Sequence, residues 1–497
     1  MTQGADGYVS EIGYAFAYHP ELNPLRARLA LLNAGWAPPR VQGACELGYG
    51  QGLAVNIHAA AGEVSWRGTD AMPEHAAFAR GLAQAIGADL DGQTFEAFCA
   101  REDLPDFDFI GLHGVWSWIS EANARVIVDF IGRRLRPGGV VYVSYNALPG
   151  AAAMAPLRRL LAAHAEAAGD GSMGGPIGGR IDAAFDFAGR VLEATPRYAA
   201  RPEALERVAA LRGRGHSYLA HEYFNRDWRP MDVAELGAAL APAGLSYACP
   251  AGLLDHVDAL NLTPAQRALL QGLDDPMLRE TARDFMLGQQ FRRDYWIRGL
   301  GRLNDEARAT ALREVRLVLT RPRDQVGLSV TGALGEATLS GALYDPILDI
   351  LADGVGADGA ARSIGEIELG LEGSGVGLAH IVQAVVVLAG KGDIAPAQAA
   401  PVVAAAEPAA RRLNATILAR ARTDGDIQTL ASPVTGGGVA VDRVEQLFLL
   451  ARAEGRGPEA WAAHARAVLG DETLEIEARA EAFAQARLPL LEGLGVA

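Results

Sequence analysis

The sequence predicts an α/β fold: an open, mainly parallel sheet covered by helices, with a helical insertion and a separate, mainly helical C-terminal domain. Three observations predict it. Between Gly43 and Asn146, short β-type runs alternate with helical stretches, the pattern of parallel strands joined by helical crossovers. A glycine-rich turn, Gly48-Tyr49-Gly50-Gln51-Gly52, stands where the first of these runs meets the first helix. Beyond about residue 305 the alternation stops, and helical stretches and an Ala/Pro-rich segment take over.

In chain order, strands fit 43–47, 64–69, 107–112 and 139–145. Helices fit 53–61, 74–86 and 122–135 between them, and Arg136-Pro137-Gly138-Gly139 stops the last because Pro and Gly cannot continue it. This defines a first unit, residues 1–150. A second unit, 151–304, opens with helices at 155–168, 181–195 and 202–212, separated by a glycine-rich loop at 169–179. It continues with a helix at 231–241 and strands at 245–249 and 291–296, which partly complete the sheet. The third unit, 305–497, starts with a hairpin-like pair, 315–320 and 327–331. Helices at 343–352, 363–371 and 376–388 follow, then a spacer at 395–410 and apolar stretches at 439–452 and 458–469.

The composition sets outer limits on function. The 497 residues are 50% hydrophobic and 21% charged, a globular profile that excludes disorder as the main theme. A formal charge of −15 disfavours a general nucleic-acid or anionic-membrane binder, since both need a cationic face. The three cysteines, Cys45, Cys99 and Cys249, form no CxxC pair and suit a reducing compartment. The first six residues lack the basic and apolar regions of a signal peptide, and the apolar run 375–390 is shorter than the roughly 20 residues of a membrane-spanning helix. The expectation is a cytoplasmic protein without membrane insertion. Lys391 is its one lysine; arginine-favouring coding bias is the simpler account, and avoidance of self-modification the other.

The chemistry concentrates at the glycine turn. Glycines there let a ligand touch the backbone, because they lack Cβ and tolerate positive φ. The spacing is GxGxG, whereas a dinucleotide fingerprint needs glycine where Leu53 stands. A carboxylate at Glu46 repels a pyrophosphate but attracts the ammonium end of an amino-acid-like cofactor, which points to S-adenosylmethionine. Asp70 follows the next strand, 22 residues after Gly48, where an acid can accept both ribose hydroxyls of an adenosine. Two further strands run into Leu112-His113-Gly114-Val115-Trp116-Ser117-Trp118 and Ser144-Tyr145-Asn146. Ligand crevices in open α/β sheets lie beyond such strand ends, so both clusters are expected to line one cleft.

These motifs resemble a known group. With Tyr18-His19-Pro20-Glu21, Glu46-Leu47-Gly48-Tyr49-Gly50-Gln51-Gly52, His113-Gly114-Val115-Trp116-Ser117-Trp118, Tyr145-Asn146-Ala147-Leu148-Pro149-Gly150 and Tyr218-Leu219-Ala220-His221-Glu222-Tyr223-Phe224, residues 8 to about 300 resemble the class I S-adenosylmethionine-dependent methyltransferases that carry a methyltransferase regulatory domain. The protein-lysine methyltransferases of rickettsial outer-membrane proteins belong to that group. The resemblance implies a Rossmann-like catalytic domain at 1–150, a regulatory domain within 151–304 and a C-terminal domain at 305–497. It implies cofactor contacts from Glu46, Gly48, Gly50 and Asp70, and Tyr49, Gly52 and His113 are expected beside them.

The activity this suggests is methylation of a lysine on a surface or envelope protein. Lysine has pKa about 10.4, so making its neutral form at pH 7 costs roughly 4.6 kcal/mol. An aromatic cleft lowers that cost, and His113 or Tyr145 is the expected proton acceptor. Tyr14, Tyr18, Trp116, Trp118 and Asn146 are the expected acceptor-binding residues. His221-Glu222 begins like HExxH, but Asn225 replaces the second histidine, so no metal site is expected. The aromatic and charged segments 221–228 and 291–296 suit an interface between domains. Residues 305–497 are expected to orient a protein acceptor, and a homodimer is a further expectation. The rival readings are a small-molecule methyltransferase, a non-catalytic cofactor-binding partner protein and a nicotinamide dehydrogenase.

Overall fold

The computed structural model of the protein describes residues 9, 12–84, 86–167, 177–194, 208–353, 361–470 and 475–497. Its centre is a seven-stranded sheet. The strands are β1 (Gly43–Leu47), β2 (Ser65–Thr69), β3 (Asp89–Asp91), β4 (Phe107–Leu112), β5 (Leu135–Asn146), β6 (Ser246–Pro250) and β7 (Phe291–Ile297), in the spatial order β3-β2-β1-β4-β5-β7-β6. The first five are parallel, and β7 runs antiparallel to both β5 and β6. Strand β4, Phe107-Asp108-Phe109-Ile110-Gly111-Leu112, is buried at every position, as a strand covered on both faces must be.

The helices of this half are α1 (Pro24–Asn33), α2 (Leu53–Ala61), α3 (Pro73–Ala83), α4 (Phe95–Cys99) and α5 (Glu121–Arg134). Ser120 caps α5 by accepting from the Asn123 N–H, and β5 starts directly at Leu135. The expected strands and helices are all present. Strand β3 and helix α4 were not expected; β3 is a three-residue edge strand with two acids, which an edge tolerates. From β1 the chain winds one way to β2 and β3 and then returns to β4 and β5. The turns after β1 and β4 therefore diverge, and a crevice opens between them.

Helices α6 (Ala155–Ala167), α7 (Ile177–Ala194) and α8 (His216–Tyr223) form a small core of their own around Leu161, Ile181, Phe185 and Leu219. Much of the expected loop at 169–179 and of the expected helix at 202–212 lies outside the described residues. Helix α9 (Val233–Leu240), capped by Asp232, leads into β6, so 245–249 and 291–296 rejoin the sheet as expected.

Two expectations for the last third are corrected. The run 315–320 does not pair with 327–331. Arg316–Leu319 sits between Arg362–Ser363 and Ile394–Pro396 in a three-stranded sheet, while Ser329–Gly332 pairs with Gly335–Thr338. The supposed spacer at 395–410 is that third strand followed by a 21-residue helix, Ala400–Arg420. Alanine favours helix strongly, and Pro401 falls in the first turn, where its missing N–H costs nothing.

This helix and the strands Thr429–Ser432 and Gly437–Ala440 pack on α2. Gln398 Nε2 donates to Ala61 O at 2.7 Å, Asn23 Nδ2 to Thr435 O at 3.0 Å and an Arg26 guanidinium N–H to Ala389 O at 3.0 Å. The apolar side chains of the last third thus run without a break into those of α1 and α2.

Candidate active site

A cleft of about 830 Å³ lies at the carboxyl ends of β1, β2, β4 and β5. That size suits a cofactor together with part of an acceptor. Its floor is the glycine turn, whose three glycines all have positive φ but do different things. A Cβ on Gly48 would lie 2.5 Å from Val115 Cγ2, and one on Gly52 would lie 2.4 Å from Ala79 Cβ, so both permit close packing. A Cβ on Gly50 meets nothing within 4 Å. Gly50 is the glycine that leaves backbone open to the cleft.

Two carboxylates face this floor. Glu46, next to last in β1, is 2% exposed, and its Oε2 has no hydrogen-bond partner among the described residues. Burial, then the Asp70 charge, push its carboxyl up to about 8. Asp70 is held in place: Oδ2 accepts the Gly50 N–H at 2.9 Å, Oδ1 accepts the Met72 N–H at 3.0 Å, and His75 Nδ1 lies 3.4 Å from Oδ1. It therefore shapes the glycine turn as well as facing the cleft. Tyr49 also lines the cleft, with its hydroxyl donating to Asp91 O at 2.6 Å.

A strap from the N-terminal segment closes one side. Gln51 Nε2 donates to Tyr14 O at 3.1 Å, the Tyr14 N–H donates to His75 Nε2 at 3.3 Å, and the ring of Tyr14 meets His221 edge-on at 5.1 Å. His221 Nε2 lies 2.9 Å from Ile12 O. His19 stacks on His113 with ring centroids 3.4 Å apart, and His113 Nδ1 lies 2.8 Å from the Tyr142 hydroxyl. Burial pushes His113 well below the usual imidazole range and His19 down to about 4. His113 lines the cleft as expected, but as a neutral, weakly basic ring.

The opposite wall is built by α6 and α8. Tyr218, His221, Glu222 and Tyr223 of α8 line the cleft with Trp228 and Arg158. The Arg158 guanidinium lies 4.9 Å from the Trp228 ring centroid and 5.5 Å from that of Trp118. Trp118 and Asn146 therefore line the cleft as expected, and Asn146 Oδ1 accepts the Trp228 indole N–H at 3.0 Å.

Three expected site residues are elsewhere. Tyr145 is 1% exposed, its hydroxyl donating to Asp294 Oδ2 at 2.9 Å, because alternate residues of β5 face opposite sides and Tyr145 takes the side toward α9. Trp116 is buried in the same core, with its indole N–H directed at Met231 sulfur at 3.3 Å. Tyr18 turns away toward the last third, against Gly437 and Gly438 and beside His58. Neither the base role for Tyr145 nor the acceptor-wall roles for Trp116 and Tyr18 fit these positions. The segment 221–228, expected as a domain interface, instead puts His221, Glu222, Tyr223 and Trp228 on the cleft. Segment 291–296 divides: Phe291 lines the cleft, while Arg292 pairs with Asp284, Asp294 and Glu280 in the interior.

Residues 215–298 match the family model described as a predicted methyltransferase regulatory domain. Along the whole chain, an uncharacterized protein of Synechocystis sp., sll1526, is 34% identical over 513 residues, covering 99% of each chain. The chain belongs to one family with sll1526 and carries a methyltransferase regulatory domain. A shorter match, 35% over 65 residues, covers 13% of this chain and 26% of RP028 of Rickettsia prowazekii. In fold, PKMT2 from Rickettsia typhi, solved in complex with AdoHcy, superposes with a TM-score of 0.68 at 15% identity, covering 97% of this chain and 99% of that one. The regulatory match spans α8, α9, β6 and β7, so this region supplies both sheet strands and one wall of the cleft. No described helix is long and apolar enough to cross a membrane.

Proposed function

We propose that this chain is an S-adenosylmethionine-dependent methyltransferase whose acceptor is a lysine side chain of a protein, on the sequence resemblance a surface or envelope protein. The observation that carries the cofactor assignment is the pairing of an unpartnered buried Glu46 Oε2 with open backbone at Gly50 on one cleft floor. Glu46 would hold the ammonium, Gly50 the close backbone contact and Asp70 the ribose hydroxyls. S-adenosylmethionine supplies an electrophilic methyl group on a sulfonium. The protein's part is to orient donor and acceptor in line and to keep water out, which makes up much of the acceleration in such displacements. The lysine reading is supported by the aromatic wall of Tyr14, Trp118 and Tyr218 beside an acidic residue, which suits an aliphatic cation. Intact and peptide mass spectrometry of candidate envelope proteins after incubation with S-adenosylmethionine tests it. Methyl gain on lysine is expected; gain only on a panel of small metabolites would replace the protein acceptor with a small molecule.

Two further results are expected. At pH 7 about nine-tenths of Glu46 is neutral in the free protein, given its carboxyl at about 8. An ammonium beside it favours the ionised form, so binding of S-adenosylhomocysteine expels close to one proton at pH 7. Affinity then rises from pH 6 to pH 8, approaching tenfold per unit. Calorimetry in buffers of different ionisation enthalpy measures this; Glu46→Gln is expected to lose the proton release, and an unchanged release in that variant would remove the assignment. Asp70→Ala removes hydrogen bonds to a charged acceptor, each worth roughly 1.5 to 3 kcal/mol. Cofactor affinity is expected to fall at least about tenfold, with a lower Tm because the Gly50 and Met72 N–H groups lose their acceptor. Unchanged affinity in a folded variant would leave Asp70 as a purely structural residue.

A further inference from the structure

The cleft holds many titratable groups, and most are unsuited to take a proton from a bound ammonium. Burial holds His19 and His221 down at about 4 and His113 well below the usual range, so these rings are weak bases. Burial pushes Tyr14 and Tyr223 up to about 12, so their phenols stay protonated. Both Asp70 oxygens already accept backbone N–H groups, and His75 Nε2 accepts the Tyr14 N–H. Glu46 lies at the floor, where the cofactor assignment already uses it.

Glu222 is different. It is half-buried on α8, its carboxylate carries no hydrogen bond among the described residues, and it lines the cleft with Tyr218 and Tyr223, close enough to Tyr14 of the strap for its charge to act on that phenol. Burial pushes its carboxyl up to about 7, partly offset by the Arg158 guanidinium. That lies near the value at which a general base works best at neutral pH. Arg158 of α6, Tyr14 of the strap, and Tyr218 and Tyr223 of α8 are the charged and titratable groups coupled to it. Arg158 is itself engaged, donating from Nε to the Glu222 backbone O at 3.3 Å and to Asn225 O while its plane lies against Trp118 and Trp228. The carboxylate is thus positioned toward the cleft without being neutralised by a hydrogen-bonded partner.

We infer that Glu222 is the catalytic base, taking the proton of an aliphatic ammonium acceptor seated among Tyr14, Tyr218 and Tyr223. This rests on the methyl-transfer reading above. The ammonium proton passes to a Glu222 carboxylate oxygen, leaving a neutral amine. The nitrogen lone pair forms the N–C bond as the C–S bond breaks, and that bond's electron pair stays on sulfur. The products are a methylated ammonium, a neutral thioether and a protonated Glu222, which returns its proton to water.

The test uses the full chain with poly-L-lysine as acceptor and S-adenosylmethionine saturating at every pH, so that the Glu46-linked change in affinity does not enter the rate, and reads both labelled methyl transfer across pH 5.5 to 8.5 and S-adenosylhomocysteine affinity. The wild-type rate is expected to rise about tenfold per pH unit below pH 7 and to bend near 7. Glu222→Gln is expected to be slower by about 10²-fold or more, with no bend, at unchanged S-adenosylhomocysteine affinity. Glu222→Asp is expected to restore part of the rate and the bend. A Gln variant that keeps the rate or the bend overturns the inference. So does a parallel loss of S-adenosylhomocysteine affinity, which would make Glu222 a cofactor residue, and so does a wild type that leaves poly-L-lysine unmodified while binding S-adenosylhomocysteine. If neither protein binds S-adenosylhomocysteine, the methyl-transfer reading itself fails and this inference with it.

Discussion

Gly50→Val is expected to abolish S-adenosylmethionine binding in a chain that still folds. Gly50 has φ of 59°, where a β-branched residue costs about 1 to 3 kcal/mol in backbone strain. No protein atom beyond the chain neighbours lies within 4 Å of the new Cβ, so that atom meets no clash in the fold, and Gly50 lines the cleft where the proposed cofactor contact falls. The expected signature is a modest fall in Tm with more than a hundredfold loss in calorimetric affinity. Gly48→Val and Gly52→Val serve as contrasts. Their Cβ atoms collide with Val115 and Ala79, so they are expected to lower stability sharply. A native-like Gly50→Val that binds normally would reduce the turn to a structural feature.

Ending the chain near Gly301 is expected to give an insoluble or aggregating fragment. On sequence alone, residues 305–497 read as a separate domain expected to orient a protein acceptor, the alternative being a cover for the catalytic core. The structure points the other way. Helix α2, which follows the glycine turn, has Val55, Ile57, Ala60 and Ala61 fully buried, and the helix Ala400–Arg420 with the strands after it covers one of its sides. Arg420 also stacks over Phe16 and Phe78, at 5.0 and 5.2 Å from their ring centroids. Truncation uncovers this apolar surface, and a contiguous patch of that kind drives association. Size-exclusion chromatography and light scattering of the fragment measure it. A monodisperse fragment that binds S-adenosylmethionine at full affinity would return the last third to a separable recognition role.

What was readable in advance follows from how local each signal is. Helix Leu53–Ala61 lies where its apolar pattern puts it, because that pattern and the preceding glycine turn depend on neighbours in sequence. That Glu46, Gly50 and Asp70 would meet on one cleft was legible for the same reason: each stands at or just beyond the end of a strand, where crevices of open sheets lie. The short run Asp89-Leu90-Asp91, with two acids in three residues, escaped because its strand character comes from pairing with β2. The alanine-rich stretch at 395–410 was misread because alanine and proline mark both linkers and helix starts, and only packing against α2 separates them.

Period, turn chemistry and spacing are properties of short segments, so the class of the sheet, the place of the glycine turn and the acids beside it could be read without a structure. Which aromatic residues reach the cleft depends on packing between segments far apart in the chain. Tyr145 and Asn146 are neighbours in one strand, yet one is sealed against Asp294 and the other faces the cleft, a choice made by which side of the sheet each occupies. Such packing also brings Glu222, 176 residues beyond Glu46 in the chain, into the same cleft. No local pattern encodes that approach; it follows from α8 packing on α6 and α7 over the strand ends, which buries the apolar faces of all three helices.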